Sequence, residues 1–347
     1  MLTKRKDGRY MKTKTINGKK ISFYSSEPTE RKAERDILTQ IFNYNEKEEK
    51  GKLLSEVVDE WEEMKEKQIR YQTWYRYRSL IARFVNFYDS NKYIKELTIQ
   101  DVEMLLGDMA FQQFTTKTIK DEFSIIKMII RFAYKKGYIS NDISNYISLP
   151  QGKPSTKRNA LSESDIAKIK ATKDSPLFNR MALFLLYTGL RKGELLALTY
   201  GDIDYNNNII SVNKELEYHG NIPVVAPPKT SNAVRSVPLP KIVKDIIPVG
   251  KHKKTDIIFP QNDKYMTKSY FRRQWTYMCK ELGISFTAHQ LRHTYCSMLV
   301  RWNVNEKLAQ SIMGHADIST TYNIYAHIFK SNLNEVTKHI DNSLTTF

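Results

Sequence analysis

Residues 188–195 read Thr188-Gly189-Leu190-Arg191-Lys192-Gly193-Glu194-Leu195. They follow an apolar run, Asn179 to Tyr187, that predicts a helix. Gly189 permits the tight break that ends that helix, and Arg191 stands where the next one opens. Free backbone N–H groups and the positive end of a helix dipole favour an anion at such a position. Glu194, one turn on, is placed to orient the guanidinium by a charge-assisted hydrogen bond. An arginine at a helix start with a glutamate at i+3 is also an ordinary surface pair, so the stretch takes its meaning from its surroundings.

Downstream the pattern shortens. Ile209–Val212, Ile222–Ala226 and Val234–Val237 predict a three-stranded antiparallel sheet. Pro227-Pro228-Lys229-Thr230-Ser231-Asn232 makes the turn between the last two strands, which puts Lys229 at a hairpin tip; a solvated turn lysine has the same appearance. Next comes Ala288-His289-Gln290-Leu291-Arg292-His293-Thr294, which on a helix sets His289, Arg292 and His293 on one face. Two histidines at i and i+4 also suggest zinc. Arg292 argues against it, because it would hold a fixed positive charge beside the metal, and no glutamate follows the first histidine. Neither metal nor cofactor is expected. Histidine and arginine together suit a phosphoryl oxygen. Finally, Gly314 of Met313-Gly314-His315 ends a helix, and Ser319-Thr320-Thr321 begins another that carries Tyr322 and Tyr325.

Upstream, Ser162 with Asp165 forms a capping box at a helix start. Before it, Pro150, Gly152, Pro154 and Ser155 mix with Lys153, Lys157 and Arg158, so 150–158 is predicted to be a linker. Residues 53–149 are helical and rich in aromatics. Four amphipathic stripes stand out: Leu54, Val57, Val58, Trp61 and Met64; Trp74, Tyr77, Ile81, Phe84 and Tyr88; Val102, Met104 and Leu105 behind a Thr98–Asp101 cap; and Phe123, Ile126, Ile129, Ile130 and Ala133. These are expected core positions of a compact bundle. Residues 1–52 begin with Lys4, Arg5, Lys6, Arg9, Lys12 and Lys14. Turn dipeptides Asp7-Gly8 and Asn17-Gly18 separate strand-like pieces, and Glu30 to Tyr44 has helical spacing. A basic sheet with one helix is expected there, the alternative being a partly disordered arm.

The chain has 347 residues, 55 Lys plus Arg against 38 Asp plus Glu, and a formal charge of +17. That length predicts two or three domains. The charge points to a polyanion as partner, through counterion release. Only Cys279 and Cys296 are present, so a disulfide scaffold is not expected and a reducing cytoplasm fits. No apolar run is long enough for a membrane span, and the polar, basic start does not read as a secretion signal.

Arg191 with Glu194, Lys229, His289-x-x-Arg292, Gly314-His315 and Tyr325 together resemble the active-site set of the tyrosine recombinase (phage integrase) family, in family order and at family-like spacing. The helical middle and basic start are similar, less specifically, to that family's core-binding and arm-binding domains. The resemblance implies a multidomain, mainly α protein with small antiparallel β-sheets. It would comprise an arm-type module (1–52), a core-site domain (53–149), the linker (150–158) and a catalytic domain with its tail (159–347). It implies the integrase of a temperate phage or integrative element, cleaving and rejoining DNA through a 3′-phosphotyrosine. Arg191, Lys229, His289, Arg292 and His315 would assist Tyr325, with Tyr322 as a packing residue. The implied partners are double-stranded DNA at core and arm sites and three further copies of the chain on that DNA, with a DNA-bending protein and an excisionase as additional ones. The expected location is the cytoplasm, at the nucleoid. A type IB topoisomerase-like relaxing enzyme and a non-cutting DNA-binding relic stand as alternatives.

Overall fold

A computed structural model describes residues 2–16, 19–155, 160–171, 176–228, 233–248 and 250–314. The chain divides into two compact units, Met1–Thr156 and Lys157–Phe347.

In the first unit, β1 (Thr3–Lys4), β2 (Tyr10–Ile16) and β3 (Lys19–Ser25) form an antiparallel sheet in that order. The register pairs Lys12 with Phe23 and Lys14 with Ile21. Phe23 is thereby turned onto α1 (Glu30–Lys50), where it packs with Ile37 and Ile41 in a small core of its own. On the sheet, Arg5 and Arg9 both lie over the Tyr24 ring.

A second, larger core belongs to α2 (Leu54–Glu66), α3 (Tyr71–Tyr88), α4 (Ile99–Phe111) and α5 (Thr116–Lys135). Thr98 caps α4 as its sequence predicts: Thr98 Oγ1 accepts from Asp101 N at 3.2 Å, and Asp101 Oδ2 accepts from Thr98 N at 2.8 Å. The predicted stripes are largely buried, with two exceptions. Met64 and Met104 are exposed. The buried face of α4 runs through Val102, Leu105, Leu106 and Met109, a 3.6-residue repeat that leaves position 104 pointing outward. One buried charge has no forewarning in the sequence pattern. Glu122 of α5 is fully buried and accepts from Arg83 Nη1 of α3 at 2.5 Å. Its second oxygen, Oε1, has no hydrogen-bond partner among the described residues. Burial raises the carboxyl to about 7, against the opposing effect of Arg83.

The second unit contains α6 (Glu163–Lys170), α7 (Leu177–Thr188), α8 (Lys192–Ala197), the strands β4 (Ile203–Asp204), β5 (Ile209–Val212), β6 (Glu215–His219), β7 (Ile222–Ala226) and β8 (Arg235–Pro238), then α9 (Lys241–Ile246), α10 (Lys268–Glu281), α11 (Ala288–Arg301) and α12 (Glu306–Met313). Met181 to Leu186 of α7 are all fully buried. A helix apolar on every side belongs at the centre, and α6, α9, α10 and α11 pack around α7.

The sheet differs from the expected one. Ile222–Ala226 does not join Ile209–Val212; it pairs with β6 in a separate two-stranded hairpin. The other sheet has the order β4-β5-β8. Residues 215–219 alternate polar and apolar side chains as a half-buried strand does, yet sequence reasoning misses β6; Glu217, on the polar side of that alternation, is buried all the same. The connection from β7 to β8 therefore passes between two sheets and is not the turn of one hairpin. Among the described residues no helix is long and apolar enough to cross a membrane.

Candidate active site

The site begins where α7 stops. Gly189 has φ +65°, and a Cβ there would stand 2.4 Å from Cδ1 of Tyr295, so both backbone and space require glycine. The break delivers Arg191 to the N-cap of α8. Glu194 then holds the arginine twice: its Oε2 accepts from Arg191 N at 2.7 Å and its Oε1 from Arg191 Nη1 at 2.8 Å. Arg191 Nη2 donates to Gly314 O at 2.9 Å, tying α8 to the end of α12.

A second guanidinium reaches the same carboxylate from β8. Arg235 Nη1 and Nη2 donate to the two oxygens of Glu194 at 2.8 and 2.9 Å, a bidentate pair with both side chains under 5% exposed. Its Nε donates to Ile312 O at 2.7 Å, and Nη1 also to Ala233 O at 3.1 Å. The Arg235 side chain lies flat on Gly314, where a Cβ would meet its Cδ at 2.9 Å.

The third guanidinium is Arg292, from the first turns of α11 and 3% exposed. Its Nη1 donates to Gly189 O at 2.6 Å and its Nη2 to Met313 O. Arg292 thus bridges the carbonyl ends of α7 and α12, where the helix dipole favours a cation. Burial, and then the like charge of Arg191, lower its pKa to about 9, so it stays charged at neutral pH. Burial alone would raise Glu194. The hydrogen bond and charge of Arg235, and then Arg191, more than offset this and hold its carboxyl below the usual range. Three buried or half-buried guanidiniums therefore surround one carboxylate, leaving two positive charges unmatched by acids among the described residues.

His289 is exposed on the opening turn of α11, its ring 5.7 Å from that of half-buried His293 and edge-on to it. Burial, then Arg292, lower the pKa of His293. Of the predicted site residues, the structure brings Arg191 and Arg292 together around Glu194 and sets His289 on the exposed side of the same helix as Arg292. Lys229, His315, Tyr322 and Tyr325 lie outside the described residues. Among those described, no group of three or more His, Cys, Asp or Glu side chains is arranged to hold a metal ion.

Sequence reasoning misses Arg235, although it lies inside a predicted strand. The available signal is an arginine between Val234 and Val237 in a stretch with no acidic neighbour. It also misses Lys192, half-buried with its Nζ 5.6 Å from the Tyr218 ring and 5.1 Å from that of Phe271. Burial, then Lys268, lower its pKa. Beyond Lys192, an open cleft of about 640 Å³ is lined by Asn221, Lys268, Ser269, Arg272, Arg273 and Thr276.

A cluster of three arginines around one glutamate stands at the junction of α7, α8, α11, α12 and β8 in a mainly helical fold with small antiparallel sheets. The phage integrase family matches residues 159–332, about half of the chain, and the chain belongs to it. It is 25% identical over 246 residues to the tyrosine recombinase XerC-like protein of Caldanaerobacter subterraneus subsp. tengcongensis, covering 62% of this chain and 63% of that one. It is 28% identical to the ICEBs1 integrase of Bacillus subtilis (strain 168), covering 49% of this chain and 50% of that one. The chain thus spans about three fifths of the first relative and half of the second. In fold it is similar to the Tn1549 transposon integrase in complex with a circular intermediate DNA, with TM-score 0.69 at 21% identity over 82% of this chain and 99% of that one. It is also similar to a lambda integrase dimer bound to a COC' core site, with TM-score 0.62 at 17% identity over 93% and 94%.

Proposed function

We propose that the protein is the site-specific integrase of a mobile element, cleaving and rejoining DNA through a 3′-phosphotyrosine at Tyr325. The observation that carries this reading is the surplus, among the described residues, of two buried or half-buried positive charges around Glu194. Such a surplus is costly unless an anion enters, and a phosphodiester at the pocket mouth would supply one. As a phenolate attacks phosphorus, negative charge grows on the non-bridging oxygens. The remaining N–H groups of Arg191 and Arg292 would clamp those oxygens, with His289 and His315 as further donors. Losing one such donor costs about 3–4 kcal/mol of transition-state stabilisation.

The phenol of Tyr325 ordinarily ionises near pH ~10, and the positive field of the arginines would favour loss of its proton to solvent, leaving the attacking phenolate. The new bond joins Tyr325 Oη to phosphorus, the P–O5′ bond breaks, and Lys229 gives its proton to the leaving O5′. Rejoining reverses each step: a 5′-hydroxyl attacks, Lys229 takes up the proton and the phenolate leaves. The ester keeps the bond energy, so neither ATP nor a metal is required.

The partners of this reading are double-stranded DNA at core and arm sites and a tetramer of the chain on that DNA, with a bending protein and an excisionase as accessories in the cytoplasm. A lambda integrase structure in fold similarity to this chain is a tetramer bound to a Holliday junction. The sheet of residues 1–52 would take the arm sites, 53–149 the core sites, and the cleft at Lys268, Arg272 and Arg273 further phosphates. The test is strand exchange between duplexes carrying the element's ends, run with a chelator and without ATP. Exchange should proceed undiminished; its abolition by the chelator would contradict the mechanism.

A further inference from the structure

We propose that Arg235 is a positioning residue of the strand-transfer site, fixing Glu194 and hence the Arg191 clamp while holding the end of α12 at Gly314. The inference rests on the strand-transfer reading above and deepens it.

The geometry is specific to arginine. Arg235 uses Nη1 and Nη2 together on Glu194, Nε on Ile312 O and Nη1 also on Ala233 O. A lysine ammonium has no planar fork and cannot reproduce the set. Each of these bonds leads to a different part of the site. Glu194 is the group that holds both the main chain and the guanidinium of Arg191. Ile312 is two residues before Gly314, whose carbonyl receives Arg191 Nη2 and whose missing Cβ makes room for Arg235 itself. Ala233 lies four residues after Lys229 in the chain. Arg235 therefore connects the glutamate that orients one clamp to the two segments leading to the remaining predicted site residues. It gains nothing for solubility there, being 4% exposed. With Nε, Nη1 and Nη2 all donating to protein acceptors and its side chain buried, it is a positioning residue and not a phosphate ligand.

The charged groups facing Glu194 among the described residues are Arg191 on its own helix, Arg235 on β8 and Arg292 on α11. Arg235 is the partner that most lowers the Glu194 pKa. Loosening it should let Glu194 take up a proton at a higher pH, and a neutral Glu194 no longer anchors Arg191. A misplacement of about 1 Å in a clamp can cost about 10²-fold in rate.

The test is single-turnover formation of the covalent adduct on saturating nicked DNA, across pH, for wild type, Arg235→Lys, Glu194→Gln and the double variant. Arg235→Lys should bind DNA as wild type does and cleave about 10²-fold more slowly at acid pH, recovering in part as pH rises. On the Glu194→Gln background, Arg235→Lys should add little further loss and no pH limb. A loss equal at every pH, or one that multiplies in full on Glu194→Gln, would reduce Arg235 to a structural residue and overturn the proposal. A second arm needs no DNA: the acid limb of thermal unfolding should move to higher pH in Arg235→Lys. An unmoved limb would also overturn it. Bound DNA with no wild-type adduct would overturn the strand-transfer reading instead, and the unfolding arm would still decide whether Arg235 controls Glu194.

Discussion

Replacing Glu194 with Gln removes the one negative charge found among the described residues of the arginine cluster while keeping the side chain's shape. The carboxylate accepts four N–H bonds, from Arg191 N, Arg191 Nη1, Arg235 Nη1 and Arg235 Nη2. The amide oxygen can keep those on one side, but the amide NH2 then faces a guanidinium with nothing to accept. Breaking a buried ion pair in this way costs about 3–5 kcal/mol. For a unit of this size each kcal/mol corresponds to roughly 2–4 °C in Tm, so a fall of roughly 6–20 °C is expected near neutral pH. The assay is thermal unfolding followed by near-UV circular dichroism. Because the folded-state pKa of Glu194 is lowered, its contribution is present above the unfolded value and is lost as pH falls through the folded one. The wild-type and variant melting curves should therefore converge in acid. Sulfate should stabilise the variant more than wild type, since it can enter among three uncompensated guanidiniums. A variant that melts within about 2 °C of wild type at neutral pH, with no extra response to sulfate, would refute the charge accounting.

Three further outcomes follow from other parts of the molecule. Glu122 is raised to about 7, so the folded protein binds a proton that the unfolded chain releases, and stability falls as pH rises from about 4.5 to 7; Glu122→Gln should remove that fall, about 3 kcal/mol in full, and a wild-type urea midpoint that is the same at pH ~5 and ~8 would refute it. Replacing Arg272 and Arg273 with Ala should lower the slope of log K against log salt by about 0.9 for each phosphate no longer neutralised, read by fluorescence anisotropy; an unchanged slope would take this cleft off the DNA path. Lys229→Ala should slow cleavage of an ordinary strand but not of one with a 5′-thio leaving group, and absence of that rescue would remove Lys229 as the acid.

Much of the fold and half of the pocket are legible in the sequence, for local reasons. The Thr98–Asp101 cap, the Gly189 break and the buried faces of α3 and α5 follow from patterns spanning a few residues. Arg191 and Glu194 can be paired because they are one turn apart. What cannot be read depends on distant parts of the chain. Arg235 meets Glu194 across 41 residues, and no local rule distinguishes a strand arginine facing a carboxylate from one facing water. The pairing of Ile222–Ala226 is misassigned because β6, a short alternating segment from Glu215 to His219, is passed over, and which neighbour a strand takes is settled by packing. Met104 is misplaced when adjoining apolar residues are read as one stripe, whereas the face of α4 admits only every third or fourth position.

The most direct measurement of the central claim is a denaturing-gel assay for a covalent protein–DNA adduct on nicked DNA from the element's own ends, with wild type, Tyr325→Phe and Tyr322→Phe. The account predicts an adduct with wild type and Tyr322→Phe and none with Tyr325→Phe, while all three bind the DNA. An adduct that persists in Tyr325→Phe, or no adduct with any of the three on DNA shown to be bound, would contradict it.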